Sequence, residues 1–107
     1  MTYRLVALYG HPEDPADFDR HYREVHVPLA LEMPDLQRYS YGHCSSADGS
    51  RPPHYLVATL DFPSAETVGA IFGSDLGARI QADVAAFATG GATLTGFDLV
   101  EAGPAGR

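Results

Sequence analysis

The sequence predicts an α+β domain of the ferredoxin-like type, a βαββαβ chain whose four strands form one antiparallel sheet with helices on one face. Three observations predict it. The chain has 107 residues, enough for one hydrophobic core and too few for two. Its hydrophobic content of 45% is that of a folded globular domain. Strand-type and helix-type apolar patterns alternate along it in the order β, α, β, β, α, β, with the second helical region split in two.

The first strand is Tyr3 to Tyr9 (YRLVALY), aliphatic and aromatic, stopped by Gly10-His11-Pro12. Leu5, Ala7 and Tyr9 share one face and Val6 and Leu8 the other, so both faces of this strand are expected to be covered. Asp14-Pro15 then opens a helix: Asp14 caps the free N–H groups, Pro15 fits the first turn, and Asp17 sits at the positive end of the dipole. Phe18, Tyr22, Val25 and Leu29 recur at spacings of four, three and four, an apolar stripe. Pro28 disfavours helical geometry at Val27, where the helix is expected to end.

Strands from Leu36 to Cys44 and from His54 to Phe62 follow, joined by a polar loop (SSADGSRPP), and should pair as an antiparallel hairpin. Ser64 caps a helix carrying Val68, Ile71 and Phe72 and closed by Gly73. Another helix begins at Ser74, with Leu76, Ile80, Val84 and Phe87 at helical spacing. Thr89-Gly90-Gly91 breaks it before a last strand, Thr93 to Val100. Residues 1–101 are expected to form the domain and residues 102–107, with Gly and Pro, a flexible tail.

Helices on one side leave the other sheet face bare. Its apolar residues would make a larger exposed patch than a monomer normally carries. An identical chain is the simplest cover, giving a homodimer through the sheet faces, a dimeric α+β barrel.

Charge narrows the function. The net charge is −7, whereas nucleic acid and anionic membranes are bound by clustered positive charge, so neither is an expected partner. Every basic residue is Arg, which removes Schiff-base and lysine-base chemistry. Cys44 has no intramolecular partner, the N-terminus lacks a signal-peptide pattern, and no apolar run is long enough to span a bilayer, so a cytoplasmic location is expected. Gly90-Gly91 precedes a strand rather than a helix, the reverse of a phosphate-binding loop.

Two stretches resemble a known family. Asp17-Phe18-Asp19-Arg20-His21-Tyr22-Arg23-Glu24-Val25-His26-Val27-Pro28-Leu29 is similar to the F-D-x-x-Y-x-x-x-H-x-P-L signature of EthD-like proteins. Asp83-Val84-Ala85-Ala86-Phe87-Ala88-Thr89-Gly90-Gly91 resembles that family's second landmark, with Ala86 where an Asn often precedes the Phe. The resemblance runs from Tyr3 to about Val100. It implies a dimeric α+β barrel in which two sheets pack face to face; the family is named for a role in bacterial ether degradation. Relatives by fold include cofactor-independent monooxygenases, muconolactone isomerases, haem-degrading enzymes and polyketide-processing proteins.

His26 is the candidate catalytic residue. It follows Tyr22 by four residues, which turns it toward the space between helix and sheet. It is expected at a helix C-terminus, where the dipole favours a protonated imidazole suited to proton transfer near neutrality. The bland alternative is that His26 caps the helix or bonds a backbone carbonyl. Tyr22, Tyr9, Tyr39 and Tyr41 are candidate substrate-binding residues, their hydroxyls orienting a carbonyl or phenol, against the alternative of ordinary core or interface aromatics. His43 and His54 could face each other across the hairpin, but Cys44 alternates to the opposite face and nothing completes a tetrahedral set, so no metal and no other cofactor is expected. His11 in its turn and His21 on the outer helix face are expected to be exposed, and Asp83 to be structural.

The expectation is therefore a small homodimer that binds a hydrophobic or aromatic oxygenated metabolite in a cleft between sheet and first helix, acting as a cofactor-independent isomerase, decarboxylase or monooxygenase through His26. The alternative is a non-catalytic accessory or ligand-sequestering dimer.

Overall fold

A computed structural model describes residues 1–104. Strands β1 (Tyr3–Tyr9), β2 (Arg38–His43), β3 (Leu56–Phe62) and β4 (Ala92–Asp98) form one antiparallel sheet in the order β2-β3-β1-β4. This is the ferredoxin-like arrangement the sequence predicts. Helices α1 (Pro15–His21), α2 (Val27–Ala30), α3 (Ala65–Phe72) and α4 (Asp75–Phe87) complete it. Of the tail expected at 102–107, residues 105–107 lie outside the described residues.

Strand β1 has its expected bounds, β2 and β3 are shorter than their apolar patterns, and β4 is shifted to Ala92–Asp98 from the expected Thr93 to Val100. The ladder gives way at its ends to single backbone bonds, Gln37 N–H to the Asp61 carbonyl at 2.8 Å, Cys44 N–H to Tyr55 at 2.9 Å and Leu99 N–H to Thr2 at 2.8 Å. Chain direction is kept there without continuous pairing.

Alternation sorts the sheet. Leu5, Ala7, Tyr9, Leu56, Ala58, Leu60 and Phe62 are buried beneath the helices, and each fully buried large side chain contributes about 1.5–3 kcal/mol. On the opposite face Val6, Leu8 and Val57 are half-buried. Arg4 and Asp61 pair on that face, Nε and Nη2 donating to the two carboxylate oxygens at 2.8 and 2.9 Å. The bond from Arg4 holds the Asp61 carboxyl below its usual range.

The caps expected at Asp14 and Ser64 form, Asp14 accepting from Asp17 N–H at 3.1 Å and Ser64 from Thr67 N–H at 3.2 Å, and Ser74, at the start of α4, caps it by accepting from Gly77 N–H at 3.2 Å. The first helix differs from expectation in two linked ways. It does not end at Val27. After His21 it widens into a π-helical turn, Tyr22–His26, and resumes as α2 to Ala30. Val27 N–H reaches back to the Tyr22 carbonyl, and Pro28 lies in the first turn of α2, where a missing N–H costs least.

The wide turn also changes which side chains face inward. An α-helical stripe would carry Val25. With more residues per turn, spacings of four stay in register, and Phe18, Tyr22, His26 and Ala30 are buried while Val25 is 46% exposed. The π turn puts an imidazole where the α-helical pattern has a valine.

Candidate functional site

Between the sheet and the helices lies a cavity of about 200 Å³. Its floor is Leu5, Ala7 and Tyr9 of β1, Ala58 and Leu60 of β3, and Tyr39 of β2. Tyr22, His26 and Ala30 come from the first helical segment, Ile80, Gln81 and Val84 from α4, and Leu94 from β4. The exit of α4 is fixed against the end of β1 by a close backbone crossing: a Cβ on Gly10 would overlap the Gly90 carbonyl, and Gly10 N–H donates to the Gly91 carbonyl at 2.9 Å. Glycine is required at such an approach.

His26 is 4% exposed. Its Nδ1 lies 2.9 Å from Asp83 Oδ2. With Asp83 ionised, Nδ1 carries the proton and donates, leaving Nε2 as the basic nitrogen. Among the described residues Nε2 has no hydrogen-bond partner, and no fully buried polar side-chain atom is left unpaired. Nε2 is thus open to the cavity that His26 lines. The imidazole bonds a carboxylate on another helix, so neither part of the bland alternative, a helix cap or a backbone bond, describes it.

Burial pushes the His26 pKa down, against the raising effect of the Asp83 bond. The expectation of a dipole-favoured imidazolium is therefore reversed. The helix continues past His26, so no free carbonyl end faces it, and desolvation favours the neutral ring.

Asp83 is more than a solvated carboxylate. Its Oδ1 lies 2.7 Å from His21 Nε2, so one carboxylate joins two histidines. His21 is half-buried rather than exposed, stacked on Phe87 with centroids 5.1 Å apart. Phe87 also lies 5.0 Å from the His26 ring and fixes both imidazoles. The sequence signal for Asp83 lies in the second landmark stretch. His21 was hidden because five-residue spacing places it away from His26 on an α-helix, and only the π turn brings both to one carboxylate.

Three of the four candidate tyrosines line the cavity. Tyr22 and Tyr39 share a hydrogen bond of 2.7 Å between their hydroxyls, and Tyr9 packs edge-on against Tyr22 at 5.6 Å. Burial raises all three hydroxyls, that of Tyr39 to about 12, so at neutral pH they are donors. Tyr41 does not line this cavity. It is 45% exposed, packs on the far side of Tyr22 with centroids 4.8 Å apart, and borders a separate recess with Asp19, Arg23 and His43.

Two of the remaining histidines, His43 and His11, take structural partners. His43 stands opposite Leu56 rather than His54 and bonds Asp19 at 3.0 Å, while Tyr55 donates to the same Asp19 oxygen at 2.8 Å. His11 is half-buried rather than exposed and bonds the Pro52 carbonyl at 2.8 Å. No helix among the described residues is long and apolar enough to cross a membrane.

The chain is 46% identical over 92 residues, 86% of its length and 89% of the relative's, to an uncharacterized 11.0 kDa protein of the thcB-thcC intergenic region in Rhodococcus erythropolis. Its fold is similar to the crystal structure of an ethyl tert-butyl ether degradation (EthD) family protein from Bacillus halodurans, with a TM-score of 0.85 and 27% identity over 94% of this chain and 100% of that one. A hydroxynitrile lyase from Passiflora edulis has a TM-score of 0.76 at 12% identity, over 96% of this chain and 97% of that one. A dimeric ferredoxin-like protein from Thermobifida fusca has a TM-score of 0.70 at 16% identity, over 92% of both chains. These last two share the fold. The EthD domain model matches residues 10–91, a span that contains the π turn, both histidines and Asp83, and the chain belongs to the EthD family.

Proposed function

We propose that this protein binds a small hydrophobic or aromatic oxygenated metabolite in the cavity and moves a proton on it, with His26 as the general base. The observation that carries this reading is an imidazole whose Nδ1 is anchored on Asp83 while the ring lines an apolar space. A base so placed is desolvated, correctly tautomerised and held still, the conditions under which a side chain removes a proton efficiently. Tyr22 and Tyr39 supply the donor for the oxygen that gains negative charge as the proton leaves. The step suits enolisation beside a carbonyl: Nε2 takes the C–H proton, the C–H pair of electrons becomes the new C=C bond, the carbonyl π pair moves onto oxygen against a tyrosine hydroxyl, and return of the proton at that oxygen gives the enol.

The working unit is a homodimer joined through the open sheet faces. Val6, Leu8 and Val57 on that face are apolar and unroofed in one chain, and the fold is shared with a dimeric ferredoxin-like protein.

A nitro-substituted benzisoxazole tests the base without knowledge of the natural substrate. Loss of its ring proton breaks the N–O bond and releases a coloured cyanophenolate. The protein should open this ring faster than free imidazole at equal concentration, and His26→Ala should remove the difference. Equal rates for wild type and His26→Ala would leave a sequestering role for the cavity.

A further inference from the structure

The chemistry of the lining narrows the ligand beyond an oxygenated metabolite. Among the described residues the cavity is lined by no Arg, Asp or Glu, and the chain contains no Lys. Its polar groups are the hydroxyls of Tyr9, Tyr22 and Tyr39, the Gln81 amide, and His26, whose own carboxylate partner stands behind it. A carboxylate or phosphate placed here would give up its water and meet no counter-charge, which is strongly unfavourable.

Size sets a second limit. A dry cavity of about 150 Å³ takes one benzene ring. One of about 200 Å³ accepts one substituted ring or two small fused rings, and a linear three-ring ketone or a haem exceeds it.

Hydrogen-bond direction sets a third. His26 Nε2 is an acceptor, because Nδ1 holds the ring's proton against Asp83. In the Tyr22–Tyr39 pair one hydroxyl donates to the other, and the accepting hydroxyl keeps its own hydrogen to offer. At His26 and the tyrosine pair the site thus asks for a ligand that gives a hydrogen bond to the first and takes one from the second.

We infer that the ligand is an electrically neutral, one-ring or fused two-ring carbonyl compound bearing a hydroxyl beside the carbonyl, the hydroxyl directed at His26 and the carbonyl at the tyrosine pair. This rests on the cavity being the binding site of the proposed function, yet it concerns selectivity and not turnover.

Titration calorimetry with four probes tests it: α-hydroxyacetophenone, acetophenone, benzoate and anthrone. Benzoate matches acetophenone in shape and differs in charge, and should bind at least about a hundredfold more weakly. α-Hydroxyacetophenone should bind up to about tenfold more tightly than acetophenone, the worth of one added hydrogen bond. That advantage should vanish in His26→Leu and, if this variant folds poorly, the carbonyl contribution should be read instead from weaker acetophenone binding in Tyr22→Phe. Anthrone should not bind. Benzoate binding as tightly as acetophenone, anthrone competing with the single-ring probes, or no binding by either single-ring ketone would each overturn the inference. Ring opening by His26 together with tight benzoate binding would sink the ligand assignment alone. The expected selectivity without His26-dependent ring opening would sink the base alone.

Discussion

Asp83 Oδ2 on α4 meets His26 Nδ1 on the π turn at 2.9 Å, a bond between residues 57 positions apart in the chain that fixes which imidazole nitrogen faces the cavity. Asp83→Asn keeps the size and removes the charge, so it no longer selects the Nδ1–H tautomer or supports the imidazolium that forms during proton removal. Ring opening of the benzisoxazole should fall by about a hundredfold or more. A rate within a few-fold of wild type would show that Asp83 only packs.

His21 holds the other oxygen of the same carboxylate. In His21→Gln an amide N–H can replace the imidazole donor, and ring opening should stay near the wild-type rate. In His21→Leu the carboxylate loses one anchor, worth about 1 kcal/mol, and the rate should fall by several-fold with a smaller change in probe affinity. Equal rates in the glutamine and leucine variants would remove His21 from the site's support.

The lowered pKa of His26 makes a prediction about acid stability. Its folded-state value lies below the ordinary 6.5, so across that interval the unfolded chain binds more protons than the folded one. The contribution to stability is present above the unfolded value and is lost as pH falls through the folded value. Thermal melts taken from about pH 7 down to about pH 5 should show a decline that is flatter in His26→Gln.

Phe87 is 8% exposed and packs against His21, His26, Tyr9, Phe18 and Tyr22. Phe87→Ala should cost about 3–5 kcal/mol in urea unfolding, the usual range for deleting a buried aromatic ring. It should also slow ring opening by more than the loss of folded protein explains, since both imidazoles lose their wall.

Val57 lies in the middle of the open sheet face, paired with Leu8 of β1 and Gly42 of β2. Light scattering at micromolar concentration should find a two-chain species for wild type and the single chain for Val57→Glu. A single chain in both would dispose of the dimer.

The fold was legible because its signals are local. Asp14 and Ser64 read as helix caps and each is one, and the order of elements then left little choice of sheet. The site was legible in part. His26, Tyr22, Tyr9 and Tyr39 gather around one cavity, while Tyr41 lies beyond Tyr22, because alternation along β2 fixes the face of a residue but not how near it comes to the helix. The pairing of His26 with Asp83 and His21 was not legible from spacing. It depends on a π turn, which carries no propensity signal, and on contact between helices far apart in sequence.

Nitrogen-resolved NMR of the histidine side chains tests the central claim most directly. With labelled histidine near neutral pH, His26 should be a neutral ring protonated at Nδ1, with an unprotonated Nε2 whose resonance moves when α-hydroxyacetophenone is added and stays put with benzoate. A His26 ring protonated at Nε2, or charged at neutral pH, or indifferent to every probe, would contradict a base poised in the cavity.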